Sequence, residues 1–381
     1  PASGYQNRYP MSHTGLLQSG PLYHGRSTLM GIYRCKSRSR AGHAAVHTAG
    51  RPKRASVQAA SAPAPLRLPT SGKFETYRHI TEDGWGLELV RQPADELPSA
   101  EMELQQRVGS APRPPLLFVH GSYHSAWVWQ EHFMPYFAAH GFDTWAVSLR
   151  AQGGSDCVSN SKSSPILVAG TLDSHAKDLS DLIAEVFPTT PPVVVGHSFG
   201  GLILQQYVQQ MAATPDGPGL KRLAGTAFLA CVPPSGNGSI VGRYLRKDLL
   251  LALRVTWGFV AKSFIQDLSS CRELFFSDDL PEADLRRYQA LLATCSPVRL
   301  IDLNDVNRQV PLPPPPPHAP PAFVLGGEDD KVVDVEAVEE LAKVYKVAPI
   351  VLPKLAHDLM LDTRWERAAF ALEAWLEQLK A

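Results

Sequence analysis

From residue 116 onward, short and wholly apolar runs alternate with longer segments whose apolar positions recur every three or four residues. Apolar runs without polar alternation are typical of parallel strands covered on both faces, and the longer segments are typical of amphipathic helices. The pattern therefore predicts an α/β fold with a mostly parallel, doubly covered sheet. Its predicted strands are 116–119, 144–149, 193–195, 225–232, 322–325 and 349–352.

Two more strands are predicted ahead of this alternation, at 74–80 and 85–90. They flank Asp83-Gly84, a dipeptide that favours a hairpin turn, so they predict an antiparallel start to the sheet. The segment 92–115 is polar and bounded by proline, and predicts mostly loop. The predicted core helices include one continuous helix through Trp129 and Phe137, then 171–187 with Thr171 as its N-cap, 335–345, and a final helix from Trp365 to Leu379.

Residues 233–310 break the alternation, because their apolar positions predict helices, and no strand, between two strands of the sheet. Eight prolines in 311–321 predict a stiff, extended connector back to the core. We interpret the insertion as a cap over the ends of the strands. The predicted organisation is a helical cap with its connector at 233–321, between two parts of the core at 74–232 and 322–381.

Within the cap, amphipathic helical pieces are predicted around 240–266 and 281–294. The apolar stretch 249–260, interrupted by Arg254, is predicted to pack on the core. A helix that lies on a membrane surface, giving the cap a peripheral membrane contact, is the alternative. No run of about 18 apolar residues occurs, so the sequence predicts no membrane-spanning segment.

The seven residues 195–201, Val-Gly-His-Ser-Phe-Gly-Gly, lie where a buried strand turns into a helical pattern. Their centre has the form Gly-x-Ser-x-Gly, which places Ser198 at the tip of a tight strand–turn–helix. Gly196 and Gly200 are expected there because side chains at these positions would collide with neighbouring backbone. The turn would present the Ser198 hydroxyl and direct the first amides of the helix toward developing negative charge. Ser198 is therefore the predicted nucleophile.

Charge is distributed unevenly along the chain. Residues 1–74 hold eleven Lys and Arg and no Asp or Glu, whereas 75–381 hold 26 basic and 37 acidic residues, a net charge of −11. The acid-free, Ser-rich start predicts an organellar transit peptide and linker over 1–73, cut near Val57-Gln58-Ala59. The chloroplast is the expected organelle and the mitochondrion is the alternative. The competing interpretation of this segment is a basic arm that binds nucleic acid or anionic lipid. The acidic remainder argues against a nucleic-acid partner.

The five cysteines are widely spaced and form no Cys-x-x-Cys pair, so the sequence indicates neither a disulfide framework nor a zinc site. We expect no metal and no cofactor. A serine hydroxyl is a weak nucleophile by itself, so side chains must supply a base and a third group that orients the base.

Several segments resemble the α/β-hydrolase family, over roughly 74–381. The Gly-x-Ser-x-Gly turn is one. The loop 120–129, His-Gly-Ser-Tyr-His-Ser-Ala-Trp-Val-Trp, is similar to that of plant methylesterases and hydroxynitrile lyases, as is the spacing of 357–360. The segment 147–156 resembles bacterial and plastid members that read Ser-Leu-Arg-Gly-His-Gly-x-Ser, with Ala151-Gln152 in place of Gly-His. The resemblance implies a carboxylic ester as substrate and a metal-free mechanism.

The family places its acid, and then its base, in loops that follow later strands of the sheet. The resemblance therefore implies Asp330 as the acid, because it stands directly before Lys-Val-Val in the loop after the strand 322–325. Asp329 is the alternative, and Glu328 is disfavoured because its longer side chain would lie closer to the end of the strand. His357, which follows the last predicted strand, is the expected base.

Acyl transfer puts negative charge on the former carbonyl oxygen, and two backbone amides are expected to receive it. The predicted donors of this oxyanion hole are the N–H groups of Phe199 and Ser122, with Tyr123 as the alternative to Ser122. His120 is expected to brace the loop, and His124 is a candidate for the pocket.

These residues predict a serine hydrolase that cleaves a small-molecule or lipid-like carboxylic ester through an acyl-enzyme on Ser198. One alternative is a lyase that uses the same triad for acid–base chemistry. The resemblance to hydroxynitrile lyases implies that it would need a lysine on the cap side of the pocket, where Lys247 and Lys262 are available. The other alternative is a ligand-binding receptor or scaffold with weak or no turnover.

Overall fold

The computed structural model describes residues 74–95, 113–157, 167–212 and 223–379, and the predicted leader 1–73 lies outside them. The strands are β1 (Glu75–Ile80), β2 (Gly86–Gln92), β3 (Leu116–Val119), β4 (Thr144–Ser148), β5 (Val193–His197), β6 (Gly225–Leu229), β7 (Ala322–Gly327) and β8 (Ile350–Leu352). They form one sheet in the order β1-β2-β4-β3-β5-β6-β7-β8. The pairs β1–β2 and β2–β4 are antiparallel, and the other pairs are parallel. The predicted hairpin and the mostly parallel sheet are confirmed.

Both faces of the sheet are covered, because alternate residues of a central strand enter different hydrophobic clusters. In β3, Leu116 and Phe118 belong to one cluster, whereas Leu117 and Val119 belong to the other. This is why the strand has no polar alternation. The helices are α1 (Trp127–Gln130), α2 (Phe133–Ala139), α3 (Leu172–Val186), α4 (Phe199–Ala212), α5 (Asn237–Lys247), α6 (Leu249–Val260), α7 (Leu268–Phe275), α8 (Glu282–Leu292), α9 (Leu303–Gln309), α10 (Val335–Tyr345) and α11 (Trp365–Gln378).

The start of α3 is as predicted, since Thr171 caps the helix through reciprocal hydrogen bonds with Ser174. The continuous helix predicted through Trp129 and Phe137 was wrong, because α1 and α2 are separate. Pro135 explains the break: in an unbroken helix its ring would collide with the carbonyl four residues earlier, and it has no N–H to donate.

The strand predicted at 225–232 ends early, at Leu229. Its successor Ala230 has a φ of 45°, which is incompatible with an extended strand. The chain turns there, at the same edge of the sheet as the turn after β5, because β5 and β6 are parallel neighbours.

Residues 237–309 hold the helices α5 to α9, with a 3-10 turn at Ser263–Ile265. The piece predicted around 240–266 is divided, because Asp248 ends α5 and caps α6 by accepting a hydrogen bond from the Leu251 N–H. The predicted packing of 249–260 on the core holds for one side of α6, where Ala252 and Gly258 are buried and Val255 and Phe259 pack against a core cluster. The other side of α6 is exposed, which the prediction did not include.

Candidate active site

Ser198 lies at the tip of the turn between β5 and α4, with a φ of 53° that residues other than glycine seldom adopt. The flanking glycines allow the surrounding backbone to approach. A Cβ atom on Gly200 would lie 2.5 Å from the carbonyl oxygen of His120, and one on Gly196 would lie 2.8 Å from Cα of Gly201. No side chain fits at either position, which confirms the reason for the two glycines.

The loops after β7 and β8 bring Asp330 and His357 together. His357 Nδ1 and Asp330 Oδ2 are 2.8 Å apart. The other carboxylate oxygen accepts hydrogen bonds from the N–H groups of Val332, at 2.7 Å, and Val333, at 2.9 Å. The alternative acid, Asp329, is exposed to solvent. The structure thus places Asp330, rather than Asp329, against the predicted base.

The environment of His357 favours its protonated form. Burial alone would lower the pKa of His357, but the charge of Asp330 and its hydrogen bond, with a further contribution from Asp358, raise this pKa above its usual value of 6.5. Because Nδ1 donates to the ionised Asp330, Nε2 is the ring nitrogen that can accept a proton. His357 and Ser198 line the same cleft.

The predicted oxyanion donors lie beside Ser198. Phe199 is the first residue of α4, where backbone N–H groups have no partner within the helix. The loop after β3 passes close to the nucleophile, since a Cβ atom on Gly121 would lie 2.7 Å from Cβ of Ser198. Ser122, Tyr123 and Phe199 all line the cleft that holds Ser198. The structure therefore brings all three candidate residues to this cleft.

The two histidines of this loop have different roles. His120 braces the loop as predicted, because its Nε2 accepts the Leu149 N–H at 2.9 Å while its Nδ1 donates to the Gly121 carbonyl at 2.7 Å. Burial lowers the pKa of His120 to about 3, so the ring is neutral. His124 is turned away from the clefts beside Ser198: its Nδ1 lies 2.8 Å from the Ser122 carbonyl oxygen.

Asp358 is a candidate that the sequence reasoning missed. It is completely buried directly after His357, and its Oδ2 lies 2.9 Å from His124 Nε2. His197 completes the group, with Nε2 3.0 Å from the His357 carbonyl oxygen and 3.9 Å from Asp358 Oδ1. Two histidines and a carboxylate can form a metal site, but here the facing ring nitrogens are engaged in hydrogen bonds. We therefore interpret the group as a hydrogen-bonding network behind His357.

The bacterial and plastid family members that segment 147–156 resembles have Gly-His at the positions of Ala151-Gln152. In this chain, Gln152 contributes to the wall of the cleft. Ala151 has a φ of 61°, and the Gln152 side chain donates to the Val298 carbonyl at 3.3 Å. Gln152 lines the cleft with Ser198, so this departure changes the surface that a substrate would contact.

Two clefts meet at Ser198. The first spans about 850 Å³, part of it open to solvent, and includes the polar side chains of Gln152, Lys262 and His357. The second spans about 800 Å³ below α5 and α6, is also partly open to solvent, and is lined mainly by apolar side chains, including those of Val232, Ile240, Val255 and Phe259. Two chemically different parts of one molecule could therefore be held next to the serine.

A family model described as "Alpha/beta hydrolase family" matches residues 116–371. The chain belongs to the alpha/beta hydrolase family. The predicted fold class is confirmed by this match together with the mostly parallel sheet of eight strands.

Among curated proteins, this alpha/beta hydrolase is similar to the "Probable esterase PIR7A" of Oryza sativa subsp. indica, with 30% identity over 134 residues. The match covers 34% of this chain and 45% of the relative, so it spans less than half of that relative's length.

Solved structures share the fold at low sequence identity. An esterase from Thermogutta terrifontis is 20% identical, with a TM-score of 0.53 over 81% of this chain and 100% of that chain. The esterase EaEST from Exiguobacterium antarcticum is 15% identical, with a TM-score of 0.54 over 79% of this chain and 98% of that chain.

Proposed function

We propose that this alpha/beta hydrolase is a serine esterase that cleaves carboxylic esters of small molecules or lipids through an acyl-enzyme on Ser198. The observation that carries the proposal is the His357–Asp330 pair, hydrogen-bonded at 2.8 Å beside the cleft that contains Ser198. The name of the PIR7A relative, a probable esterase, is consistent with it.

In the proposed reaction, His357 Nε2 takes the proton of the Ser198 hydroxyl while Oγ attacks the ester carbonyl carbon. Asp330 stays ionised and stabilises the imidazolium. The Phe199 N–H and an amide of the loop after β3 stabilise the negative charge on the former carbonyl oxygen. The alcohol leaves with the proton from His357. Water activated by the same histidine then releases the acid from Ser198.

The pH dependence of the proposed esterase follows from His357. Only the neutral imidazole can accept the serine proton, so activity is lost as the pH falls through the pKa of His357. Because that pKa is raised above 6.5, we expect kcat/KM for an aryl acetate to begin falling at a higher pH than an ordinary histidine would give. Replacing Asp358 by asparagine removes a charge that raises this pKa, so the acidic limb of the profile should move to lower pH.

The asparagine of Asp358→Asn has nearly the same shape as aspartate and can still hydrogen-bond to His124, so the variant separates charge from packing. Profiles of kcat/KM against pH for the wild type and the variant measure the effect. If Asp358→Asn lowers activity but leaves the acidic limb of the pH profile at the same pH, Asp358 acts only through the geometry of the loop that carries His357.

Turnover of short-chain aryl esters by the purified protein tests the proposed function, and other outcomes would identify other functions. Cyanide release from a cyanohydrin without ester turnover would indicate a lyase. For that reaction the structure favours Lys262, which lines the cleft with Ser198, over Lys247, which pairs with Glu336 at the surface. Saturable binding of an ester without turnover would indicate a receptor.

For the location of the protein, we propose import into the chloroplast, with the mitochondrion as the alternative. The support is the composition of residues 1–74, which are rich in hydroxyl side chains and free of acidic ones. Sequencing the amino terminus of the protein isolated from the organelle should give a start close after Ala59. An organellar protein that retains the residues before this position would contradict the proposal.

A further inference from the structure

Large apolar side chains are exposed on the cap helices α5 and α6, with exposed fractions from 39% to 76%. We define them as the cap surface: Val241, Leu245, Leu249, Leu250, Leu253, Trp257 and Val260. Single exposed apolar residues are ordinary, but a group of this size on two successive helices is typical of an interaction surface.

The spacing on α6 directs these side chains to one side of the helix. Leu249, Leu253, Trp257 and Val260 recur every three or four residues. The other side packs on the protein, where a Cβ atom on Gly258 would lie 2.8 Å from a methyl carbon of Leu274. A helix at a water-facing surface would carry mainly polar residues on its outer side, whereas Arg254 and Thr256 are the polar residues among the exposed positions of α6.

The cap surface continues into the second cleft. Val241 and Val260 belong to both the cap surface and the lining of that cleft, which also includes Ser198. Val255 and Phe259 line the cleft as well. An acyl chain that entered at the cap surface would therefore contact apolar side chains on its way to the nucleophile.

The segment that carries the cap surface has the opposite charge to the rest of 75–381. Residues 237–262 contain five basic residues and one acidic residue, a net charge of +4, whereas the other residues of 75–381 have a net charge of −15. Three of the basic side chains pair with carboxylates of neighbouring elements, and Arg246 is exposed. Apolar contacts must therefore provide most of the binding, with a smaller preference for an anionic surface.

We propose that the cap surface docks the protein on a lipid bilayer, and that an acyl chain of a lipid ester passes from the bilayer through the second cleft to Ser198. The cleavage of that ester rests on the proposed function, whereas the docking does not. In the described part of the chain, no helix combines the length and apolar composition needed to cross a bilayer. A second copy of the chain bound to the cap surface would block the mouth of the second cleft. A bilayer would instead supply substrate through that mouth, so we commit to a bilayer as the partner.

Vesicle binding by the full-length Ser198→Ala protein tests docking separately from cleavage. We expect it to sediment with vesicles of phosphatidylcholine, and more strongly with equimolar phosphatidylcholine and phosphatidylglycerol. Trp257 is the one tryptophan of the seven that is exposed, and all seven lie in the described residues. Its emission should therefore move to shorter wavelength on binding, and brominated acyl chains should quench it.

The double variant Leu250→Gln, Trp257→Gln, in the same background, should lower partitioning into vesicles by about tenfold or more. Both side chains are about two-thirds exposed, so their replacement should not unfold the cap. The matched control is Phe370→Gln on α11, which removes an aromatic ring with the same exposed fraction as Trp257, 67%. The control should bind vesicles like its parent.

Equal partitioning of the double variant and the control would overturn the docking proposal. A second result would also overturn it: the parent protein does not bind vesicles but forms a dimer, measured by light scattering, and the double variant is a monomer. The cleavage step is tested separately with the wild type. Aryl acetate hydrolysis without vesicle binding contradicts the docking alone, and vesicle binding without hydrolysis contradicts the proposed function alone.

Discussion

Replacement of Ser198 by alanine is expected to lower kcat for an aryl acetate by about 10⁵- to 10⁶-fold, as the loss of a serine nucleophile does in other serine hydrolases. The physical reason is that no acyl-enzyme can form without Oγ, although the base and the oxyanion amides remain. Steady-state kinetics on the wild type and the variant, at equal protein concentration, measure the effect.

The control for this variant is its stability. Alanine retains the Cβ atom that already fits the turn at a φ of 53°, so the melting temperature should stay close to that of the wild type. A variant that melts normally and loses less than about tenfold in kcat would show that another group is the nucleophile.

Asp330→Asn is expected to lower kcat by about 10⁴-fold, the magnitude known for the corresponding change in chymotrypsin-type proteases. The side-chain carbonyl of the introduced asparagine can still accept the N–H groups of Val332 and Val333, which leaves its NH₂ group facing His357 Nδ1. Nδ1 must then be the unprotonated nitrogen, and Nε2 carries the hydrogen, so the histidine can no longer take the serine proton.

The matched control is Asp329→Asn, which removes the same charge one residue away at an exposed position. Its kcat should stay within about threefold of the wild type, because exposed charges interact weakly through water. A loss as large for Asp329→Asn as for Asp330→Asn would show that Asp330 is not the acid that orients His357.

The turn around Ser198 could be predicted because its determinants are local. An apolar strand, two glycines that no side chain can replace and an apolar helix lie within a few residues of one another. The choice of the acid needed the family resemblance, since three acidic residues follow β7 in succession, and the structure distinguishes Asp330 by its burial and its contact with His357. Pro135 also gave a local signal, and the prediction of an unbroken helix overlooked it.

The network behind His357 could not be predicted, because it depends on a pairing across the whole fold. His124 and Asp358 are 234 positions apart, and no local pattern connects them. The exposure of the outer side of α6 could not be predicted for a different reason. A mostly apolar helix is normally buried within its own chain, and the pattern contains no information about what covers its outer side.

Covalent labelling with a fluorophosphonate, followed by mass spectrometry of the peptides, tests the role of Ser198 most directly. We predict a single adduct on Ser198, formed more slowly as the pH falls and His357 becomes protonated, and absent from Ser198→Ala. Labelling that persists unchanged in Ser198→Ala, or that modifies another residue and leaves Ser198 free, would contradict the acyl-enzyme mechanism.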